Sequence, residues 1–278
     1  DDYLGDVGCL AGAAALDTSK ARGTSAALVA LGEQVPCDLD AVVVSIADYE
    51  DSNGRWQADR TLATVQSAVG AAGYTLERFH LPRAGAIADA NHMERKQNMS
   101  SPSPVTDGQH VWVMTGVGVF KAFDFAGKEI WARNLQTDYG KFGLTWGYAS
   151  SPLLRGDALY VQVIHGMKTD DPSYVLKIDK RTGKTLWRVE RPTEAVSESP
   201  DSYTTPLWVE ANGRAEVVIT GGDVVSGHDP ETGREFWRAD ILNPKRDRNY
   251  RIIASPSFID GLIIAPTRKN PMVAMRPG

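Results

Sequence analysis

Hydrophobic positions along the chain fall into two regimes. In the first, apolar residues gather into a few longer elements. Ala41-Val-Val-Val-Ser-Ile-Ala47 is a β-branched run bounded by Asp38, Asp40 and Asp48, the pattern of a buried strand. Leu62, Val65, Ala68 and Val69 recur at helical spacing between Arg60 and Ala72, with Gly73 placed as a C-terminal cap. Thr75 to Leu81 alternates and predicts a second strand, and a further helix is expected from Thr18 to Leu31. Residues 1–95 therefore read as a small α/β segment, one that need not be complete.

From residue 97 onward the pattern changes to short alternating runs separated by turn residues, and it repeats. Gly127-Lys-Glu-Ile-Trp131 recurs as Gly183-Lys-Thr-Leu-Trp187 and Gly233-Arg-Glu-Phe-Trp237, at offsets of 56 and 50 residues. Each copy follows an aspartate, Asp124, Asp179 and Asp229. A second landmark, Ser103-Pro104, Ser151-Pro152, Thr205-Pro206 and Ser255-Pro256, keeps step at offsets of 48, 54 and 50. Each unit accommodates four short strands. In one of them Ser151 to Leu154, Ala158 to Val163, Tyr174 to Ile178 and Lys184 to Val189 are joined by turns rich in Gly and Asp. Four strands per unit at this period predict a β-propeller blade.

Asp179-Lys-Arg-Thr-Gly-Lys-Thr-Leu-Trp187 and Asp229-Pro-Glu-Thr-Gly-Arg-Glu-Phe-Trp237 resemble the tryptophan-docking repeat of quinoprotein propellers, Ala-x-Asp-x-x-Thr-Gly-Lys-x-x-Trp. Asp124-Phe-Ala-Gly-Lys-Glu-Ile-Trp131 matches with a shorter turn. Ser101 to Gly108, Trp146 to Pro152 and Ser202 to Pro206 resemble the blade openings of bacterial pyrroloquinoline-quinone-like (quinoprotein alcohol dehydrogenase-like) repeat proteins. The resemblance covers about residues 97–278. It implies a mainly β chain: a partial propeller of three blades, at about 101–136, 149–190 and 203–241, plus an incomplete fourth at 254–278. In this group Asp124, Gly127, Trp131, Asp179, Gly183, Trp187, Asp229, Gly233 and Trp237 are expected to act structurally, docking one blade on the next. The resemblance also implies a bacterial source and a periplasmic or secreted location, although no signal peptide is visible before Asp1.

Composition sharpens this division. Residues 1–95 carry 14 acidic and 7 basic side chains, whereas 96–278 carry 21 and 23. Six of the seven tryptophans fall in the second part, and both cysteines, Cys9 and Cys37, in the first. The polar stretch 84–103, with its Ser-Pro-Ser-Pro ending, marks the seam. A net charge of −5 gives no reason to expect nucleic acid, and no apolar run approaches the ~20 residues of a membrane span. Val42 to Asp51 loosely resembles the opening strand of caspase-like peptidases. However, His80 falls inside a strand pattern and Cys37 precedes the first strand, so a peptidase pair is not expected.

Catalytic quinoproteins of the resembled group hold pyrroloquinoline quinone (PQQ) beside a ring formed by two adjacent cysteines and bind Ca²⁺ through carboxylates and amides. The repeat region has no cysteine and no acid that matches the catalytic base. No cofactor is expected, and a PQQ site with calcium belongs only to the alternative, a fragment of a quinone-dependent dehydrogenase. The favoured expectation is a non-catalytic scaffold that binds a protein or a polar small molecule on loops joining one blade to the next. Candidate residues there are Tyr139, Trp146, Tyr148, Asp201, Tyr203, Lys245, Arg246 and Arg248. His165 is expected in a solvated loop, with a cation beside Asp170 and Asp171 as the minor reading. Gly116-Val-Gly-Val reads as a hairpin turn rather than a phosphate loop, since no helix follows it. The Asn98-Met-Ser100 sequon carries little weight. The fourth unit stops where its Gly-Lys-x-x-Trp strand would begin, so an open arc with unpaired edges, prone to self-association, is expected.

Overall fold

The computed structural model describes residues 13–17, 41–45, 101–269 and 272–278. The expected helices at 18–31 and 60–72, the strand at 75–81, the seam, the sequon, His80, Cys9 and Cys37 lie outside these. Strand β1 (Ala13–Asp17) pairs in parallel with β2 (Ala41–Ser45). β2 falls inside the expected 41–47 run. Its partner is a surprise, because Ala13-Ala-Ala-Leu-Asp17 offers little β-branched signal.

The rest is four antiparallel sheets, none closed on itself, each running in chain order from inside to outside. The first contains β3 (Val105–Thr106), β4 (His110–Met114), β5 (Val119–Asp124) and β6 (Glu129–Asn134). The second contains β7 (Leu153–Arg155), β8 (Ala158–Val163), β9 (Tyr174–Asp179) and β10 (Thr185–Glu190). The third contains β11 (Leu207–Ala211), β12 (Arg214–Gly221), β13 (Val224–His228) and β14 (Glu235–Asp240). The fourth has three strands, β15 (Ser257–Ile259), β16 (Leu262–Ala265) and β17 (Val273–Met275). The sheets are the blades of a partial propeller. Each innermost strand starts just after the Ser-Pro or Thr-Pro landmark, because proline has no N–H to give to a ladder.

One short helix, α1 (Leu135–Tyr139), was not expected. Asn134 caps it by accepting hydrogen bonds from the N–H groups of Gln136 and Thr137. A single turn of this kind leaves no periodic signal for a sequence reading to detect.

The turns before the outer strands explain the repeated motif. The Asp179 carboxylate accepts from the N–H of Arg181 and of Thr182 and from the Thr182 hydroxyl. Burial pushes this carboxyl up, but those donors outweigh it and hold it below the usual range. Gly183 completes the turn at φ +70, where a side chain is strained. It must also be small: a Cβ there would lie 2.7 Å from the Trp131 indole of the preceding blade. Gly233 stands in the same relation to Trp187, and Gly278 to Trp237. The Trp131 Nε1–H donates to the Lys180 carbonyl at 2.9 Å, and the Trp187 Nε1–H to the Pro230 carbonyl at 3.0 Å. Trp237 departs from this pattern. Its Nε1–H donates to Glu216 of its own sheet at 2.8 Å.

Three apolar clusters fill the spaces between successive sheets. Trp112, Met114 and Phe120 meet Leu159, Val161 and Leu176. Tyr160 and Val175 meet Val217 and Ile219. Val209, Val218 and Val225 meet Ile263 and Ala265. The core is therefore divided among the seams rather than gathered in one centre.

Candidate functional site: the inter-blade loop face

The loops after β6, β10 and β14, residues 135–152, 191–206 and 241–256, each run from an outer strand to the next inner strand. Topology places them on one face, together with the hairpins between each pair of middle strands. Buried polar side chains tie this face together.

Asp201, fully buried, accepts from the N–H of Thr145 at 2.7 Å and of Met167 at 3.2 Å. Burial raises its carboxyl despite these donors. His165, 3% exposed, accepts at Nδ1 from the Gly143 N–H at 2.9 Å, and burial lowers its pKa. It is neither a solvated loop residue nor poised for a cation. Asp223, at φ +69, accepts from Ser199 at 2.5 Å and from Asn243 at 3.0 Å. Arg191, with no exposure, donates to the carbonyls of Gly221 and Val224 at 2.7 and 2.9 Å and to Ser226 Oγ at 3.2 Å. Burial lowers its pKa to about 9. Ser226 Oγ lies 3.0 Å from His228 Nε2, and His228 Nδ1 lies 3.0 Å from the Gly233 carbonyl. A carbonyl can only accept, so the proton sits on Nδ1 and Ser226 donates to Nε2.

Against this frame the eight candidates separate. Tyr148 is a correction. It is 1% exposed, its hydroxyl donates to the Gln162 carbonyl at 2.8 Å, and burial pushes its phenol pKa well up. Asp201 is a second, since both its oxygens are engaged with backbone amides. Neither is available to a ligand. Tyr139, half-buried, leaves the loop face for the first seam. Its hydroxyl sits 2.5 Å from Thr185 Oγ1 and accepts from Arg133 at 3.1 Å. Arg246 is not free, because it pairs with Asp240 and, at 3.5 Å, with Asp223.

Trp146 and Tyr203 do come together. The Trp146 backbone N–H approaches the Tyr203 hydroxyl at 3.4 Å, and burial followed by the Asp201 charge raises the Tyr203 phenol pKa. The guanidinium of Arg251 lies 5.2 Å from the Trp146 ring centre and is ion-paired with Glu198. This pair was not legible in the sequence: its members are 53 residues apart and in no repeat register. Lys245 and Arg248 are exposed. On the same face Met167, Val196 and Ile253 are 39%, 52% and 61% exposed.

The residues present do not suit a calcium-held quinone. Asp201, Asp223 and Glu198 are committed to amides, hydroxyls and Arg251. Among the described residues no group of three or more acids, histidines or cysteines converges on one point. No chemical step is assigned to such a group. Nor, among the described residues, is any helix long and apolar enough to cross a membrane.

The family described as outer membrane protein assembly factor BamB matches residues 44–277. No curated protein matches the sequence. Among solved structures, BamB from Moraxella catarrhalis is 19% identical with a TM-score of 0.43, over 60% of this chain and 46% of that one. A quinohemoprotein alcohol dehydrogenase from Comamonas testosteroni is 15% identical with a TM-score of 0.45, over 66% and 36%. A europium-containing methanol dehydrogenase is 14% identical with a TM-score of 0.46, over 71% and 42%. The chain thus spans less than half the length of each of these structures. With repeats, turns and seams in place, and with the match running over most of its length, the chain belongs to the family of the outer membrane protein assembly factor BamB, a family of PQQ-like β-propeller repeat proteins.

Proposed function

We propose that this chain is a non-catalytic propeller module that binds a protein partner on its inter-blade loop face and acts as a scaffold. The observation that carries the reading is the contrast within that face. Buried Asp201, Asp223, Arg191 and His165 hold the loops in place, while exposed Lys245, Arg248, Met167, Val196 and Ile253 stand above them without an assigned role. A rigid frame presenting mixed charged and apolar side chains suits protein recognition. The family description, an assembly factor of the outer membrane, supports both the scaffold role and a location outside the cytoplasm. The dehydrogenase reading gains nothing from Asp201, Asp223 and Glu198 of the loop face, which are already engaged.

Photo-crosslinkers placed at Val196 and at Ile253, used in the cells that make the protein, should trap the same partner. One placed at Asn212, on the opposite face, should not. Different adducts from the two loop positions, or equal trapping from Asn212, would refute the reading.

A further inference from the structure

Six cations cluster on the loops that follow β14 and β16: Lys245, Arg246, Arg248, Arg251, Arg268 and Lys269. Three have carboxylate partners: Arg246 with Asp240 and Asp223, Arg251 with Glu198, and Lys269 with Asp247 at 2.7 Å. Arg268 donates to the backbone carbonyl of Asn249 and shares the Asp247 charge with Lys269. Among the described residues, Lys245 and Arg248 have no side-chain partner. Charge on this side of the face is therefore in excess, and the excess is exposed.

Backbone and side-chain contacts tie these cations to the neighbouring loops. The Arg248 carbonyl accepts from the N–H of Glu198 at 2.9 Å and of Ser199 at 3.1 Å, which fixes one loop against the next. Glu198 pairs with Arg251, and Arg251 covers Trp146. Trp146 of the first inter-blade loop thus meets Arg251 of the third beside Glu198 of the second, with Arg248 and Lys245 further along the third loop and Val196 and Ile253 exposed.

Resting on the loop-face reading above, we infer that the partner presents an extended acidic segment to these cations. Its carboxylates sit on Arg248 and Lys245 and compete with Glu198 for Arg251. Glu198 is then an internal stand-in for a carboxylate of the partner. Exposed, unpaired cations steer a charged segment and make its binding salt-dependent, while a half-buried guanidinium over an indole favours a carboxylate in fixed geometry.

Fluorescence anisotropy with a short dye-labelled peptide of alternating Glu and Val tests this on the full chain. The peptide should bind, and its Lys/Val counterpart should not. Replacing Lys245→Ala and Arg248→Ala together should weaken binding about tenfold and flatten its salt dependence. Glu198→Gln should instead tighten it, about threefold, by freeing Arg251. Unchanged affinity in the double variant, weaker binding in Glu198→Gln, or equal binding of the Lys/Val peptide would each overturn the inference. If the acidic peptide fails while Val196 and Ile253 still crosslink one partner, the acidic segment is refuted and the scaffold reading stands. If the crosslinks fail as well, both fall.

Discussion

His165 and His228 are buried and wired as neutral rings, each accepting a hydrogen bond at a nitrogen that a proton would occupy. Burial is the main cause that lowers both pKa values. In the unfolded chain a histidine takes its proton near pH 6.5. Below that pH the unfolded state holds more protons than the folded one, so stability falls as pH drops through about 6.5. Protonated His228 would also sit beside Arg191 and Arg238, with Glu235 at 3.9 Å as partial compensation. Urea unfolding should show a loss of about 1–2 kcal/mol between pH 7 and pH 5. His228→Ile, which copies Ile178 at the same register of the preceding blade, should flatten the dependence. Asp179 and Asp229, held low by turn donors, add stability that persists through this window and is lost only in stronger acid. A pH-independent midpoint would contradict the assigned proton positions. At the same scale, Trp187→Ala should cost about 2–4 kcal/mol, somewhat below the range for emptying a fully buried indole site, because Trp187 is half-buried, as read from the shift in urea midpoint.

Among the elements, the loop after β10 depends on one residue. Arg191 spans the β12–β13 hairpin with three donors, each to a different acceptor. Lysine carries the charge without the planar fork. Arg191→Lys should therefore orphan buried carbonyls, at a cost of about 2–4 kcal/mol. Amide exchange should quicken at Gly221 to Val224 before it does in β8 or β9, and unchanged exchange there would remove Arg191 as the latch. How much of this could be read from the sequence follows from where the information lies. Strand and turn positions in the propeller were legible because each depends on residues a few places apart, as in Asp179, Thr182 and Gly183. The parallel β1–β2 pairing and α1 were not. One lacks β-branched residues on one side, and the other rests on a single cap. On the loop face, sequence distinguished polar from apolar but not inside from outside. Asp201 and Tyr148 look like Lys245 and Trp146 in a string of letters, and only the folded loops reveal which have their hydrogen bonds satisfied within.

Across the whole molecule, the seams are not equal. The first two are crossed by indole-to-carbonyl hydrogen bonds into the next sheet, while at the third Trp237 bonds within its own sheet. Sheet-by-sheet arrays open where the nearest-neighbour coupling is weakest. The fourth sheet should therefore exchange its amides first, and loss of protection in β8 before β16 would contradict this order. Ile259, Leu262 and Ile264 occupy the face of that sheet turned away from the third, with Ile259 half exposed. Association that rises with concentration and is suppressed by Ile264→Lys would assign self-association to this face.

The Lys180 carbonyl accepts from two indoles at once, Trp112 at 2.8 Å and Trp131 at 2.9 Å. Both donors belong to the first sheet and the acceptor to the second, so the two chromophores keep these hydrogen bonds only while the blades touch. Trp187 reports on the next seam in the same way. The emission of these three indoles thus reports the parting of blades before their unravelling. On gentle denaturation the emission should move to the red while the far-ultraviolet β signal is still intact, which makes the molecule an optical gauge of its own seams.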